Sequence, residues 1–218
     1  MNSILFTHSY FLRFDPKQWS AGQPYAPLGT LYAAALMRSN GFAVALHDTM
    51  FATAANDVAS PIKEFAPKYF VIYDDGFNYL TKMCLTNMRE AAFKMIRIAK
   101  EKGCTVIVSS SDATDRFDMY LDEGADFVLM GEAEMSLLEL VQQFEDPATD
   151  LFSIQGLAFK HNNAVVRTQR RNVIKDLDAL PFPAWDIIDM EPYRKMWMKS
   201  SGYFSINMAT TRGCPFKC

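Results

Sequence analysis

Long apolar runs are missing from this chain. Each one is broken by polar or charged residues well short of the roughly 20 needed to cross a bilayer, so no membrane span is expected. Met1-Asn2-Ser3 leads into a strand-like segment without a signal-peptide pattern, and a cytoplasmic protein is the expectation. A basic surplus is missing too. The net charge of −3 and pI near 5.6 give no broad positive field for nucleic acid or anionic lipid, which favours a small-molecule partner. Cysteine is sparse, with four in 218 residues, and this excludes a disulfide-built scaffold. Cys214 and Cys218 stand close together and suit reduced, metal-ligating thiols, whereas Cys84 and Cys104 sit in apolar surroundings and read as core. Neither glycine signature of nucleotide binding occurs. There is no G-x-G-x-x-G after the first strand and no G-x4-G-K-[ST] anywhere, and Asp48, placed where a ribose-binding acid would sit, is weak support without the glycine turn.

What is present is a steady exchange of two hydrophobic periods over the first roughly 145 residues, the pattern of a parallel sheet with helices on its faces. Short apolar runs at Ile4 to Thr7, Ala43 to His47, Tyr69 to Tyr73, Thr105 to Ser109 and Phe127 to Met130 read as strands. Helices are expected at Pro27 to Ser39, where Pro27 suits a first turn and Asn40-Gly41 a stop, and at Lys82 to Lys102, which ends in basic residues and Gly103. Asp115 to Asp122 and Glu132 to Phe144 follow, with a weaker helix at Ala55 to Phe65. The expected fold is α/β: a Rossmann-like, doubly wound parallel five-stranded sheet flanked by helices, occupying residues 1–146. Ile154 to Phe159 and Ala164 to Thr168 flank His161-Asn162-Asn163 as a hairpin, an edge extension of the sheet or a lid. The proline-bearing stretch from Arg170 to Pro192 reads as a linker, so that residues 147–200 form a hairpin-and-linker extension. Residues 201–218 would begin a further domain, with Tyr203 to Ala209 as its first strand.

In doubly wound sheets ligands collect beyond the carboxyl ends of the strands. Three loops there stand out. The first, His8 to Ala26, is unusually long and rich in aromatics, Tyr10 among them. Asp74-Asp75-Gly76-Phe77-Asn78-Tyr79 after the third strand mixes carboxylates with aromatics, and Ser109-Ser110-Ser111-Asp112-Ala113-Thr114 after the fourth offers small hydroxyls to a close-lying polar ligand. Each has a plainer reading: aromatic packing for the first, a solvated turn for the second, helix capping for the third. Glu132 and Glu134 serve equally as acids at a helix N-terminus. His8 and His47 read as strand-end residues, and Met83, Met88 and Met95 as core filler.

Several segments, in order, resemble the cobalamin-binding N-terminal domain of class B radical S-adenosylmethionine (SAM) enzymes. They are Pro24-Tyr25-Ala26-Pro27-Leu28-Gly29-Thr30, the stretch from Gly41 through His47-Asp48, Glu123-Gly124-Ala125-Asp126 through Gly131-Glu132-Ala133-Glu134, Asp176 through Trp185-Asp186, and Arg212-Gly213-Cys214-Pro215-Phe216-Lys217-Cys218. The resemblance implies a cofactor site drawing on Tyr10, Pro27, Leu28, Asp75, Gly76, Ser109, Ser110, Ser111, Gly131 and Glu132. It implies cobalamin as cofactor, held without a protein histidine on cobalt because no D-x-H-x-x-G is present. Cys214 and Cys218 would be the first two ligands of a [4Fe–4S] cluster, the third cysteine lying beyond residue 218. In the full-length parent that cluster would bind SAM and generate a 5′-deoxyadenosyl radical for methyl transfer, cyclisation or rearrangement. The fragment alone would be inactive, its partner being its own catalytic barrel. The alternatives are a recognition or interaction cap that has lost cobalamin, and a self-contained nucleotide-binding enzyme with incidental cysteines.

Overall fold

The computed structural model describes residues 3–74, 76–77, 85–145 and 150–213. Seven strands form one sheet in the order β2-β1-β3-β4-β5-β6-β7. The strands β1 (Ser3–Thr7), β2 (Ala43–His47), β3 (Tyr69–Tyr73), β4 (Thr105–Ser109) and β5 (Phe127–Leu129) are all parallel, and the order 2-1-3-4-5 is that of a doubly wound fold. Because strand side chains alternate between faces, each central strand feeds two cores. Ile4, Phe6, Tyr69, Val71 and Ile107 meet one apolar layer, while Leu5, Phe70, Ile72, Val106 and Val108 meet the other. Helices α2 (Leu28–Ser39) and α7 (Glu134–Gln143) cover the first layer. The second is covered by α3 (Ala59–Phe65), α4 (Leu85–Glu101) and α6 (Phe117–Asp122). Cys104 lies buried in that second layer, and burial pushes its thiol pKa up, as a core residue requires. Among the described residues no helix is long and apolar enough to cross a membrane.

The hairpin is an edge extension. Strand β6 (Leu157–His161) runs antiparallel to β5, and β7 (Ala164–Arg167) pairs with β6. Asn162 and Asn163 both adopt positive φ (50° and 62°), the demand of a two-residue turn matched to strand twist. The first hairpin strand starts at Leu157 rather than Ile154, because 151–153 close into a 3-10 turn capped by Asp150.

Four further expectations shift. The helix expected at Asp115 to Asp122 divides at Arg116, which is not helical (φ −131°, ψ 39°), into α5 (Ser111–Asp115) and α6. Helix α7 begins at Glu134 and not at Glu132, since Gly131 turns the chain with φ 79°. Residues 203–209 carry no strand: an extended segment needs a neighbour for its ladder, and no strand of the sheet pairs with it. The stretch read as linker runs into a helix, α8 (Glu191–Ser201), with Pro192 in its first turn. The expected start of α4 at Lys82, like Met83 and Cys84, falls outside the described residues.

Candidate functional site

The carboxyl edge of the sheet has two halves. Over β1 and β2 it is filled. The long first loop forms a 3-10 turn (Leu12–Phe14) and α1 (Pro16–Ala21), which Asp15 caps at one end and Gly22 at the other. Tyr10, Leu12 and Ala26 pack there with Leu31, Met50 and Tyr193. Helix α8 closes this half from outside: Trp197 donates its indole N–H to the carbonyl of Pro24 (2.7 Å), and Ser200 donates to the carbonyl of Gly22 (2.7 Å). Beneath it the Asp48 carboxylate meets His8 Nε2 at 2.8 Å and accepts from Tyr193 OH (2.7 Å) and the Met50 N–H (3.0 Å). Burial works against ionisation of Asp48, but these partners outweigh it and hold its pKa below the usual carboxylate value.

Over β3, β4 and β5 the described residues leave the edge open. A cleft of about 580 Å³ lies there, within the range of small-molecule sites. Its floor is made by strand ends, Tyr73 and Asp74 after β3 and Ser109 closing β4. Its walls are Gly29 of α2, Gly76 and Phe77, the start of α5 with Ser110 and Ser111, the β5–α7 turn with Gly131, Glu132 and Glu134, and the segment Thr211 to Gly213. Thr30 Oγ1 donates to the Tyr73 carbonyl at 2.6 Å and ties α2 to this floor. Asp74 donates its N–H to the Ser109 carbonyl (2.8 Å), while its carboxylate accepts from the Ser9 N–H (2.6 Å) and hydroxyl (2.8 Å). Burial nevertheless pushes the Asp74 pKa up.

The serines divide their duties. Ser110 caps α5, accepting from the Ala113 N–H at 2.8 Å, which is the plainer reading of that loop. Ser111 is exposed on the cleft side. Just behind, Asp112 accepts two bonds from Arg89 (2.6 and 2.5 Å) and one from Tyr120 (2.9 Å). Burial opposes its charge, but these donors prevail and lower its pKa, so α5 is fixed in place.

Charge gathers at the opposite wall. Arg212 Nη2 lies 2.7 Å from Glu134 Oε1, and Nη1 lies 3.9 Å from Glu132 Oε2. The guanidinium also stands over the rings of Phe77 (5.2 Å) and Tyr32 (5.6 Å). Burial opposes its charge, but the neighbouring carboxylates outweigh burial and raise its pKa. Tyr73 beside Glu134 is raised well above its ordinary value, chiefly by burial and then by that carboxylate. Glu132 turns away from α7 and accepts the Ile174 N–H (2.8 Å), so it pins the linker rather than serving as an acid at the start of that helix. Arg212 also separates this cleft from a second of about 460 Å³ under the linker, where Phe182 is 93% exposed.

Gly76, Ser109, Ser110, Ser111, Gly131 and Glu132 therefore come together in the open cleft. Tyr10 and Leu28 are buried in packing, and Pro27 sits at the α2 N-terminus, so these three stand apart from it. Asp75, Cys214 and Cys218 lie outside the described residues. Among the described residues no group of three or more His, Cys, Asp or Glu side chains could hold a metal. Phe77 and Thr114, from the same two loops, line it as well, and Asp115, which the sequence marks only as the start of a helix, joins them by following Thr114 on α5.

No profile of a known protein family matches the chain. It is 28% identical over 197 residues to an uncharacterized methyltransferase of Pyrococcus horikoshii, spanning 88% of this chain and 39% of that protein. It is 32% identical over 117 residues to an anaerobic magnesium-protoporphyrin IX monomethyl ester cyclase of Cereibacter sphaeroides, spanning 51% of this chain and 18% of that one. Among solved structures, the cobalamin-dependent SAM radical enzyme OxsB with aqua-cobalamin bound superposes with a TM-score of 0.70 and 15% identity, covering 98% of this chain and 27% of OxsB. The radical SAM methyltransferase TsrM from Kitasatospora setae, with cobalamin and a [4Fe-4S] cluster bound, superposes at 0.56 with 17% identity, covering 84% and 31%. The chain thus shares its fold with cobalamin-dependent radical SAM enzymes and spans less than half the length of each relative named.

Proposed function

We propose that this chain is the cobalamin-binding-type N-terminal domain of a larger cytoplasmic radical SAM enzyme. The observation that carries the reading is the open cleft beyond β3, β4 and β5, with glycine, serine and threonine along much of its wall, in a fold matched by OxsB over 98% of the chain. The residues present suit such a cofactor. A corrinoid is a broad ring edged with primary amides, and Gly76, Gly131 and Ser111 leave room for a ring edge while Ser109, Ser111 and Thr114 bring hydroxyls to it. The cleft is smaller than a whole cobalamin, so it would take one edge and leave a face of the ring for the rest of the enzyme. None of the three histidines lines it: His8 is engaged by Asp48, His47 lies in β2 and His161 ends β6 against Phe152. Cobalt would therefore lack a histidine ligand from this domain. When bound, cobalamin supplies a cobalt centre able to carry a methyl group. Cys214 and Cys218, just beyond Arg212 and Gly213, would contribute two of the thiolates of a [4Fe–4S] cluster that binds SAM in the full-length enzyme.

The test is anaerobic incubation of the chain with hydroxocobalamin, desalting, then visible absorption and cobalt content, alongside Ser111→Trp. Ser111 is exposed to the cleft and is not the α5 cap, so its indole would fill the site with little damage to the fold. Stoichiometric cobalt in the parent chain and its loss in the variant is the expected result. A folded parent chain that retains no cobalt would overturn the reading and leave a recognition or interaction cap.

A further inference from the structure

We infer that the cleft selects among corrinoids by the chemical state of their peripheral side chains, accepting neutral carboxamides and turning away the corresponding carboxylates. This rests on the cobalamin reading above and adds a specificity to it. Among the described residues, four carboxylates, those of Asp74, Asp115, Glu132 and Glu134, line the cleft against one guanidinium, Arg212. Arg212 lies against Glu134 and near Glu132, yet its buried Nη2, like Glu134 Oε2, has no hydrogen-bond partner. Asp74 and Glu132 have their backbone donors, Ser9 and Ile174. Glu134 does not: it is only 3% exposed, and its Oε2 is shut from solvent with no hydrogen-bond donor. A buried carboxylate oxygen without a donor is costly and is normally found partnered. A carboxamide entering from the cleft brings both an N–H for Glu134 Oε2 and a carbonyl for Arg212 Nη2. A carboxylate brings no donor, and its charge is repelled by its neighbours more strongly in this partly water-excluded setting than in bulk water.

The experiment titrates the 218-residue chain in parallel with hydroxocobalamin and with the separated monocarboxylic acids obtained from it by mild acid hydrolysis of peripheral amides, reading dissociation constants by ultrafiltration and visible absorption. At low salt the isomer carrying its carboxylate on the cleft-bound edge is expected to bind at least about tenfold more weakly than the amide, equivalent to about 1.4 kcal/mol. The gap should narrow in about 1 M salt, where the Debye length falls to roughly 3 Å. Two variants must move it in opposite directions: Asp115→Asn should narrow the gap and Arg212→Gln should widen it. Equal affinity for the amide and every acid would overturn the selection while leaving the cofactor reading standing. Shifts of the same sign in the two variants would overturn the charge argument. Retention of no corrinoid at all would overturn both.

Discussion

The two halves of the carboxyl edge have opposite fates on one sheet. Beyond β1 and β2 the chain fills the edge with its own aromatic loop and locks it with α8, so that Asp48, a strand-end carboxylate, is consumed by His8, Tyr193 and Met50. Beyond β3, β4 and β5 the described parts of the connections carry glycine and serine, and strand-end groups of the same kind stand around open space. Strand order alone brings ligands to the carboxyl edge in general. Side-chain volume in the connections decides which part of that edge remains available.

The largest expected effect comes from breaking the closed half. Trp197→Ala removes a buried indole and its bond to Pro24, and should cost about 3–5 kcal/mol in urea unfolding. Retained hydroxocobalamin affinity in folded protein would show that the two halves act separately. Tyr193→Phe is a finer cut, taking one donor from the Asp48 carboxylate, with an expected loss of about 1.5–3 kcal/mol and stronger protection loss in α8 by hydrogen exchange. In the open half the sign reverses. The Asp74 pKa is raised in the folded state, so its ionised form costs stability at neutral pH, and that cost fades as pH falls through the raised value towards the unfolded value of about 3.9. Asp74→Asn should therefore stabilise the protein by about 1 kcal/mol near pH 7, with the advantage shrinking on acidification, as urea midpoints at neutral and mildly acidic pH would record. Smallest is the effect of Ser111→Trp on stability, within about 0.5 kcal/mol, beside its full effect on corrinoid retention.

The parallel core was legible because its strands read as unbroken apolar runs, β3 and β4 buried on both faces and β2, at the sheet's edge, half-buried. Ala43–His47, Tyr69–Tyr73 and Thr105–Ser109 fall where their sequences point. The closed half was less legible. Asp15, Pro16 and Gly22 are the cap, first-turn proline and C-cap of α1, signals present in the sequence but hidden by the length of the loop around them. Pro192 looked like linker punctuation, yet it sits in the first turn of α8, whose buried Tyr193 and Trp197 show a spacing of four residues, too few to mark a face. Tyr10 illustrates the limit for the site. An aromatic in a strand-end loop is a ligand contact or a packing element according to what covers it, and here the cover comes from Tyr193, far along the chain. Glu132 was ambiguous for the same reason, its partner being the backbone of Ile174.

The antiparallel pair β6 and β7 also bears on solubility. Without them β5, an apolar Phe-Val-Leu segment buried on both faces, would present its unpaired amides and carbonyls as the sheet's open border, a template for association with other chains. The border shown on that side is β7, four residues long and ending in Arg167, with Val165 as its one exposed large apolar side chain. A polypeptide ended at residue 146 would lose the core contacts of Ile154, Leu157, Phe159, Ala184 and Tyr193 and also exchange a short, charged margin for a sticky one. Such a truncation is expected both to be destabilised and to aggregate through its bared border.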